Sequence, residues 1–207
     1  MATMIPIFDN GHGWDTPGKC SPDRSLLEWK WNREIVDRVI AQLKADGYNP
    51  IELVPEDKDI SLGERVRRVN SLCTRYGTSN CLFISVHCNA SGSDGKWHNG
   101  VTGISFWTSV GQTKGDKLAD CCHEIAVPLC GELGKKILTQ RYKDGDIDYE
   151  KNFTVLAKTK CAACLVENWF MDNQNDAAWL LSEEGKQTAV DIIVGGVKLY
   201  IQKYATK

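Results

Sequence analysis

Short apolar runs recur along the chain, separated by longer stretches in which apolar residues return every three or four positions. The runs at 4–8, 50–54, 81–86, 101–107, 153–157 and 162–166 read as buried strands. The longer stretches read as amphipathic helices. One, over 27–46, puts Ile35, Val36, Val39, Ile40 and Leu43 on a single stripe and stops at Gly47. A second opens at Ser61-Leu62-Gly63-Glu64, which has the S-x-x-E form of a capping box. It should bury Leu62, Val66, Val69 and Cys73 and leave Arg65, Arg67 and Arg68 on a solvated or locally paired face. A third, over 114–138, carries Leu118, Cys122, Ile125, Leu129, Leu133 and Ile137, with Pro128 expected to kink or split it. The last starts at Ser182, has Glu183 and Glu184 in its first turn, and buries Ala189, Ile192, Ile193, Gly196, Val197, Tyr200 and Ile201. Strands alternating with helices predict an α/β fold, a mostly parallel sheet with helices on both faces. Residues 1–207 contain no repeat, low-complexity tract or linker and read as one domain.

Several polar residues break this pattern at informative places. The first strand runs into Asp9-Asn10-Gly11-His12-Gly13, where the glycines permit a tight turn around the imidazole. His87 directly follows the 81–86 run, and Glu167 directly follows 162–166. Glu28 lies seven residues before Ile35, hence on nearly the same face as the buried stripe of the first helix. A carboxylate there is costly to bury unless it is paired or bound to metal; a first-turn partner of the helix dipole is the alternative. His98 and His123 read as surface or locally satisfied histidines. The polar segments 14–25, 141–152 and 172–176 read as loops, the second as a rim of a cleft.

Composition narrows the class. With 207 residues, 42% of them hydrophobic, the chain can bury one sizeable core. A net charge of −2 with no long basic run provides no electrostatic footprint for nucleic acid. No apolar run reaches the ~20 residues of a membrane span, and the first one ends at Phe8 without a basic region ahead of it, so no secretory signal is expected. Nine cysteines is an odd number, which rules out complete internal pairing; they read as reduced, buried side chains. Cys161 and Cys164 fall on opposite faces of a strand and cannot grip one metal there.

In an open α/β sheet, side chains at the carboxyl ends of parallel strands converge on one edge. His12, His87, Glu167 and Glu28 can therefore meet. Two imidazoles and one carboxylate form a familiar zinc set that leaves a position open for catalysis. The other carboxylate is then free for general acid–base work. That inventory suits metal-assisted hydrolysis of an amide.

The segments DNGHG, LLEWKWN, ISLGERVRRVN, FISVHCNA, FTVLAKTKCAACLVENWFMDN and NDAAWLLSEEGKQTAVDIIVGGVKLYI, in order along nearly the whole chain, resemble the zinc-dependent N-acetylmuramoyl-L-alanine amidases of the Amidase_3 family. The resemblance implies a six-stranded mostly parallel sheet, one Zn2+ held by His12, Glu28 and His87, and Glu167 as the catalytic glutamate. It implies cleavage of the amide between muramic acid and L-alanine in peptidoglycan by a monomer acting in the periplasm or outside the cell, including as a phage or prophage lysin released by another route. Three departures stand out: Trp14-Asp15 replaces a second glycine, ENWF stands where E-x-G-F is usual, and Lys158 replaces a frequent arginine. Two other readings remain open, a zinc carboxypeptidase or deacetylase acting on cell wall and a non-catalytic wall-binding module. Trp14, Trp29, Trp31 and Trp169 lie near the proposed edge, where they could stack on sugar or peptide, and at least two of them are expected in the core instead.

Overall fold

The computed structural model describes residues 4–140 and 145–205. Its centre is a six-stranded sheet of β1 (Ile5–Asn10), β2 (Ile51–Glu52), β3 (Cys81–Asn89), β4 (Ser105–Thr108), β5 (Tyr149–Glu150) and β6 (Ala162–Phe170). The spatial order is β2-β1-β3-β6-β4-β5. All pairings are parallel except that of β4 with β6, which is antiparallel. Among the described residues six α-helices accompany the sheet: α1 (Glu28–Ala45), α2 (Leu62–Tyr76), α3 (Lys114–Glu132), α4 (Thr154–Ala157), α5 (Gln174–Leu181) and α6 (Glu183–Tyr204).

Alternation along the strands splits the interior into two cores. On one face Phe8, Leu82, Ile84, Val86, Cys164 and Val166 pack with the buried residues of α1, α3, α5 and α6. On the other, Ile5, Ile7, Phe83, Ala163 and Leu165 pack with Val69 and Cys73 of α2 and with Val155 and Leu156 of α4. The chain leaves β1 for β2 on one side and then returns to β3 on the other, so β1 and β3 flank a topological switch point, where such sheets open a crevice at their carboxyl ends. The nine cysteines are free, eight of them buried. Cys161 and Cys164 belong to opposite cores, as strand alternation requires.

The structure departs from the sequence pattern in several elements. α3 is not split at the exposed Pro128; it continues to Glu132 and stops before 138 because Gly134 takes the left-handed conformation that closes a helix (φ 62°). Ile137 instead forms a bridge with Ile104. The 153–157 run is helical, not extended, a type of ambiguity inherent to short apolar runs. The fifth strand is Tyr149–Glu150, inside the expected 141–152 loop, part of which lies outside the described residues. Only 105–108 of the expected fourth strand is paired. α5 occupies a stretch that begins inside the expected 172–176 turn, capped by Asn173, whose side chain accepts from the Asn175 and Asp176 backbone N–H groups. Both β3 and β6 run past their apolar residues, so His87 and Glu167 lie within strands rather than after them.

The clearest reversal concerns α2. Leu62 is exposed and Arg65 is buried, 2% exposed. The Arg65 guanidinium pairs with Asp9 and donates to the Asn10 carbonyl at 3.0 Å, the Ile60 carbonyl at 2.7 Å and Asp59 at 2.8 Å. Asp9, 1% exposed, also accepts from Ser85 Oγ at 2.6 Å. Removing one partner of such a pair leaves a buried charge uncompensated, at about 3–5 kcal/mol. Arg65→Met is accordingly expected to lower unfolding stability by about that amount in a urea titration. An unchanged midpoint would show that Asp9 finds its compensation elsewhere.

Candidate metal centre and catalytic cavity

Three elements and one loop bring the site together. His12 follows β1 at the switch point, with a left-handed backbone (φ 64°) that is uncommon for a residue other than glycine. The glycines beside it are needed for clearance more than for the turn. A Cβ on Gly11 would run into the His87 ring, and one on Gly13 into the Asp59 backbone. Two side chains of α1 hold this loop from below. Asn32, fully buried, donates to the Gly11 carbonyl at 3.1 Å, and Arg33 donates to the His12 carbonyl at 3.0 Å. Neither was legible in the sequence; their one available signal was their position a turn after Glu28 on the same helix.

Glu28 is the first residue of α1 and is 1% exposed. Its backbone N–H donates to the Lys19 carbonyl at 3.0 Å, which ties the helix start to the preceding loop. Its Oε1 lies 3.1 Å from His87 Nδ1 and 3.5 Å from His12 Nε2, and it accepts from the Cys88 backbone N–H at 3.1 Å. Its Oε2 is buried with no partner. Although Glu28 is in the first turn of α1, its carboxylate points inward, between two imidazoles, and not only along the helix end. The ligand atoms of His12, Glu28 and His87 all lie within 4.8 Å of one another, the one such set of three among the described residues. Zinc bonds of about 2.0–2.1 Å in tetrahedral geometry would set ligand atoms roughly 3.3 Å apart. The donor set, its spacing and the orphaned Oε2 therefore fit a divalent metal of zinc type.

Glu167 stands directly across from His87 in the β3–β6 register. Immediately beyond, the register shifts, so that Asn168 and Trp169 of β6 oppose Cys88 alone. This bulge aims side chains locally, and Asn168 Nδ2 donates to the His87 carbonyl at 3.0 Å across it. Trp169 takes φ 46° at the position where the resembling motif has glycine. Its ring is fully buried, with its centroid 6.0 Å from that of Trp179, so packing holds a backbone that only glycine adopts cheaply. Trp31 is also core, its Nε1 donating to the Leu180 carbonyl at 2.7 Å, whereas Trp14 is exposed.

The electrostatics differ from one residue to the next. Burial lowers the His12 imidazole to about 4, keeping it neutral and able to donate a lone pair. Burial would raise Glu28, but the hydrogen bond from His87 and the charges of His12 and His87 outweigh it and hold the carboxyl below its ordinary value. Burial would lower His87, and it is outweighed by the hydrogen bond to Glu28 and by the charge of Glu167, so His87 is raised. Removal from water pushes Glu167 up to about 7. A cavity of about 290 Å³ is lined by all four of these residues, with Lys19, Asn89, Phe153 and Leu165 among its walls. A second, of about 320 Å³, opens on the other side of His12 and His87, above Arg65. His98 and His123 stay apart from the site; His98 pairs with Asp94 at 2.7 Å, and His123 lies edge-on to Phe106.

Residues 7–198 match the profile of Amidase_3, N-acetylmuramoyl-L-alanine amidase. The chain belongs to this family. The expected six-stranded, mostly parallel fold and the hydrolase class go with that membership. The amidase chain is 28% identical over 193 residues to an uncharacterised protein of Bacillus subtilis, YqiI, spanning 93% of this chain and 82% of that one. It is 29% identical over 194 residues to the Bacillus subtilis amidase LytC, spanning 94% of this chain and 35% of LytC. The crystal structure of an N-acetylmuramoyl-L-alanine amidase from Clostridium difficile superposes with a TM-score of 0.79 at 22% identity, over 98% of each chain. That last similarity concerns the fold.

Proposed function

We propose that this chain is a zinc-dependent N-acetylmuramoyl-L-alanine amidase of peptidoglycan, with His12, Glu28 and His87 holding one Zn2+ and Glu167 as the general base and acid. The observation that carries the reading is the convergence of a His-Glu-His set and a separate carboxylate on one cavity. When bound there, zinc supplies a Lewis acid that polarises a carbonyl oxygen and makes water nucleophilic near neutral pH.

The protein's own groups do the rest. Glu167, held near 7 by burial, accepts a proton from the attacking water and returns it to the departing amine, the task for which a pKa close to the working pH is best. The Cys88 N–H orients the Glu28 carboxylate, and Asn32 and Arg33 hold the His12 turn, so the donors are set before substrate arrives. The bond broken is the amide between the lactyl carbonyl of muramic acid and the amino group of L-alanine. That choice rests on family membership, since the chemistry alone does not select among the amides of the polymer. All four residues come from one chain, which supports action as a monomer, within a single catalytic domain. The substrate places that action outside the cytoplasm, and no helix among the described residues is long and apolar enough to cross a membrane.

Mass spectrometry of purified cell wall after digestion tests the reading. The expected products are stem peptides with a free L-alanine amino terminus and glycan strands with no new reducing ends. Newly exposed D-amino-acid carboxylates with intact muramoyl–alanine links would overturn it in favour of a carboxypeptidase. New amino groups on the sugars alone would indicate a deacetylase, and no product at all with zinc present a wall-binding module.

A further inference from the structure

We infer that Trp14 and Trp29 form a subsite for a pyranose ring of the glycan strand, beyond the sugar that carries the amide to be cut. This rests on the amidase reading above and extends it to a surface next to the metal cavity. Trp14 is 62% exposed, the most exposed of the large apolar side chains among the described residues. Its backbone is nevertheless fixed. The Trp14 N–H donates to the Asp57 carbonyl at 2.9 Å, and the neighbouring Asp15 carboxylate accepts from the Asp59 N–H at 2.8 Å. A large ring is thus held out in water on a pinned loop, which costs the folded chain a burial opportunity worth about 1.5–3 kcal/mol for a large apolar side chain.

The ring is one wall of a concavity. Trp14 and Trp29 line a space of about 340 Å³ together with Pro17 and Leu27, with Thr16 and Lys19 also on its wall. That is within the usual ligand-pocket range of roughly 300–1,000 Å³. Lys19 also lines the cavity that holds Glu28, His87 and Glu167, and Thr16 lines the one above Arg65. The space therefore adjoins both cavities beside His12, with Lys19 as a wall shared with one and Thr16 as a wall shared with the other. Arg33, which clamps the His12 carbonyl, sits with its guanidinium 5.6 Å from the Trp29 ring centroid, so the second indole is braced by the same residue that holds the metal loop.

The chemistry of the wall selects the occupant. The C–H faces of a pyranose are apolar and flat and lie well on an indole, while at the rim Lys19 can donate to its oxygens and Thr16 Oγ1, whose own hydrogen goes to Asp59, can accept from its hydroxyl or amide. β1, the strand entering this region, is paired on both sides by β2 and β3 and offers no free edge for strand addition by a peptide. Departure from glycine at position 14 thus gains a purpose: it adds an aromatic platform where the resembling motif has no side chain.

Three measurements on the full chain, its Trp14→Ala and its Trp14→Phe variants test this, with zinc content determined for each. The first is binding of a peptide-free oligosaccharide of alternating N-acetylglucosamine and N-acetylmuramic acid, followed by calorimetry. The others are KM for stem-bearing glycan strands and for a single-sugar muramoyl peptide. An aromatic contact of about 0.5–1.5 kcal/mol corresponds to roughly a twofold to tenfold change. Trp14→Ala is expected to weaken oligosaccharide binding and to raise the ratio of the two KM values by that factor at equal zinc content, and Trp14→Phe to restore most of it. An unaltered ratio and unaltered binding would overturn the subsite. So would equal loss on both substrates, which would make Trp14 a support of the His12 loop, or a raised KM confined to the single-sugar muramoyl peptide. If the wild-type chain cleaves neither substrate, the amidase reading fails, and oligosaccharide binding still decides the subsite.

Discussion

His87→Ala is expected to come through purification and dialysis without zinc and to hydrolyse cell wall no faster than wild-type protein stripped with a chelator. In the proposed site His87 would supply one of three donors, from the central strand β3, and a site of this type binds through all of them. Its loss also leaves Glu28, 1% exposed, with its Oε1 short of the His87 partner at 3.1 Å. A buried carboxylate deprived of a partner is costly, so the variant should also be less stable. His12→Ala separates the two effects. His12 stands on a loop with a side chain 19% exposed, and its removal disturbs no strand pairing. Both variants should lose the metal, and only the first should lose much stability. Metal analysis showing a full zinc complement in the two purified variants would dismiss these residues as ligands.

The two glutamates should fail in opposite ways. Glu167→Gln keeps the volume of the side chain and removes its ability to take a proton. It should retain zinc and slow hydrolysis roughly 10²–10⁴-fold, the contribution of a positioned general base. Glu28→Gln exchanges an anionic donor for a neutral one beside two imidazoles, and it should lose zinc on dialysis while Glu167 stays intact. The measurement is zinc per chain alongside turnover of the same preparations. Full zinc in Glu28→Gln together with an empty Glu167→Gln would reverse the two roles. Their surroundings differ: Glu28 Oε1 lies between His12 and His87, whereas Glu167 stands beside His87 on the neighbouring strand, its buried Oε2 without a hydrogen bond.

Periodicity alone was enough for the α/β class, for α1 and α6, and for the central strands β1, β3 and β6, because each carries a strong local pattern that tertiary packing only reinforces. The same local logic exposed Glu28, a charge on a stripe otherwise buried, and His12 and His87, polar residues ending apolar runs. It misread whatever depends on a partner distant in sequence. Arg65 looks solvated beside Arg67 and Arg68, and it is buried because Asp9, 56 positions earlier, and Asp59 compensate its charge. Run 153–157 is short and apolar enough for either state, and it is helical where it packs against α2. Trp169 occupies a backbone region that a sequence rule assigns to glycine, and only the surrounding core with Trp179 holds it there. The candidate side chains, and the neighbourhood of the strands and helix that bear them, were thus legible in the order of residues along the chain. Their separation of 3.1–3.5 Å around Glu28, the clamps from Asn32 and Arg33, and the cavity that Trp14 and Trp29 both line were decided by the tertiary structure, since distances between residues far apart in sequence are set by how the helices and strands pack, and no local pattern encodes them.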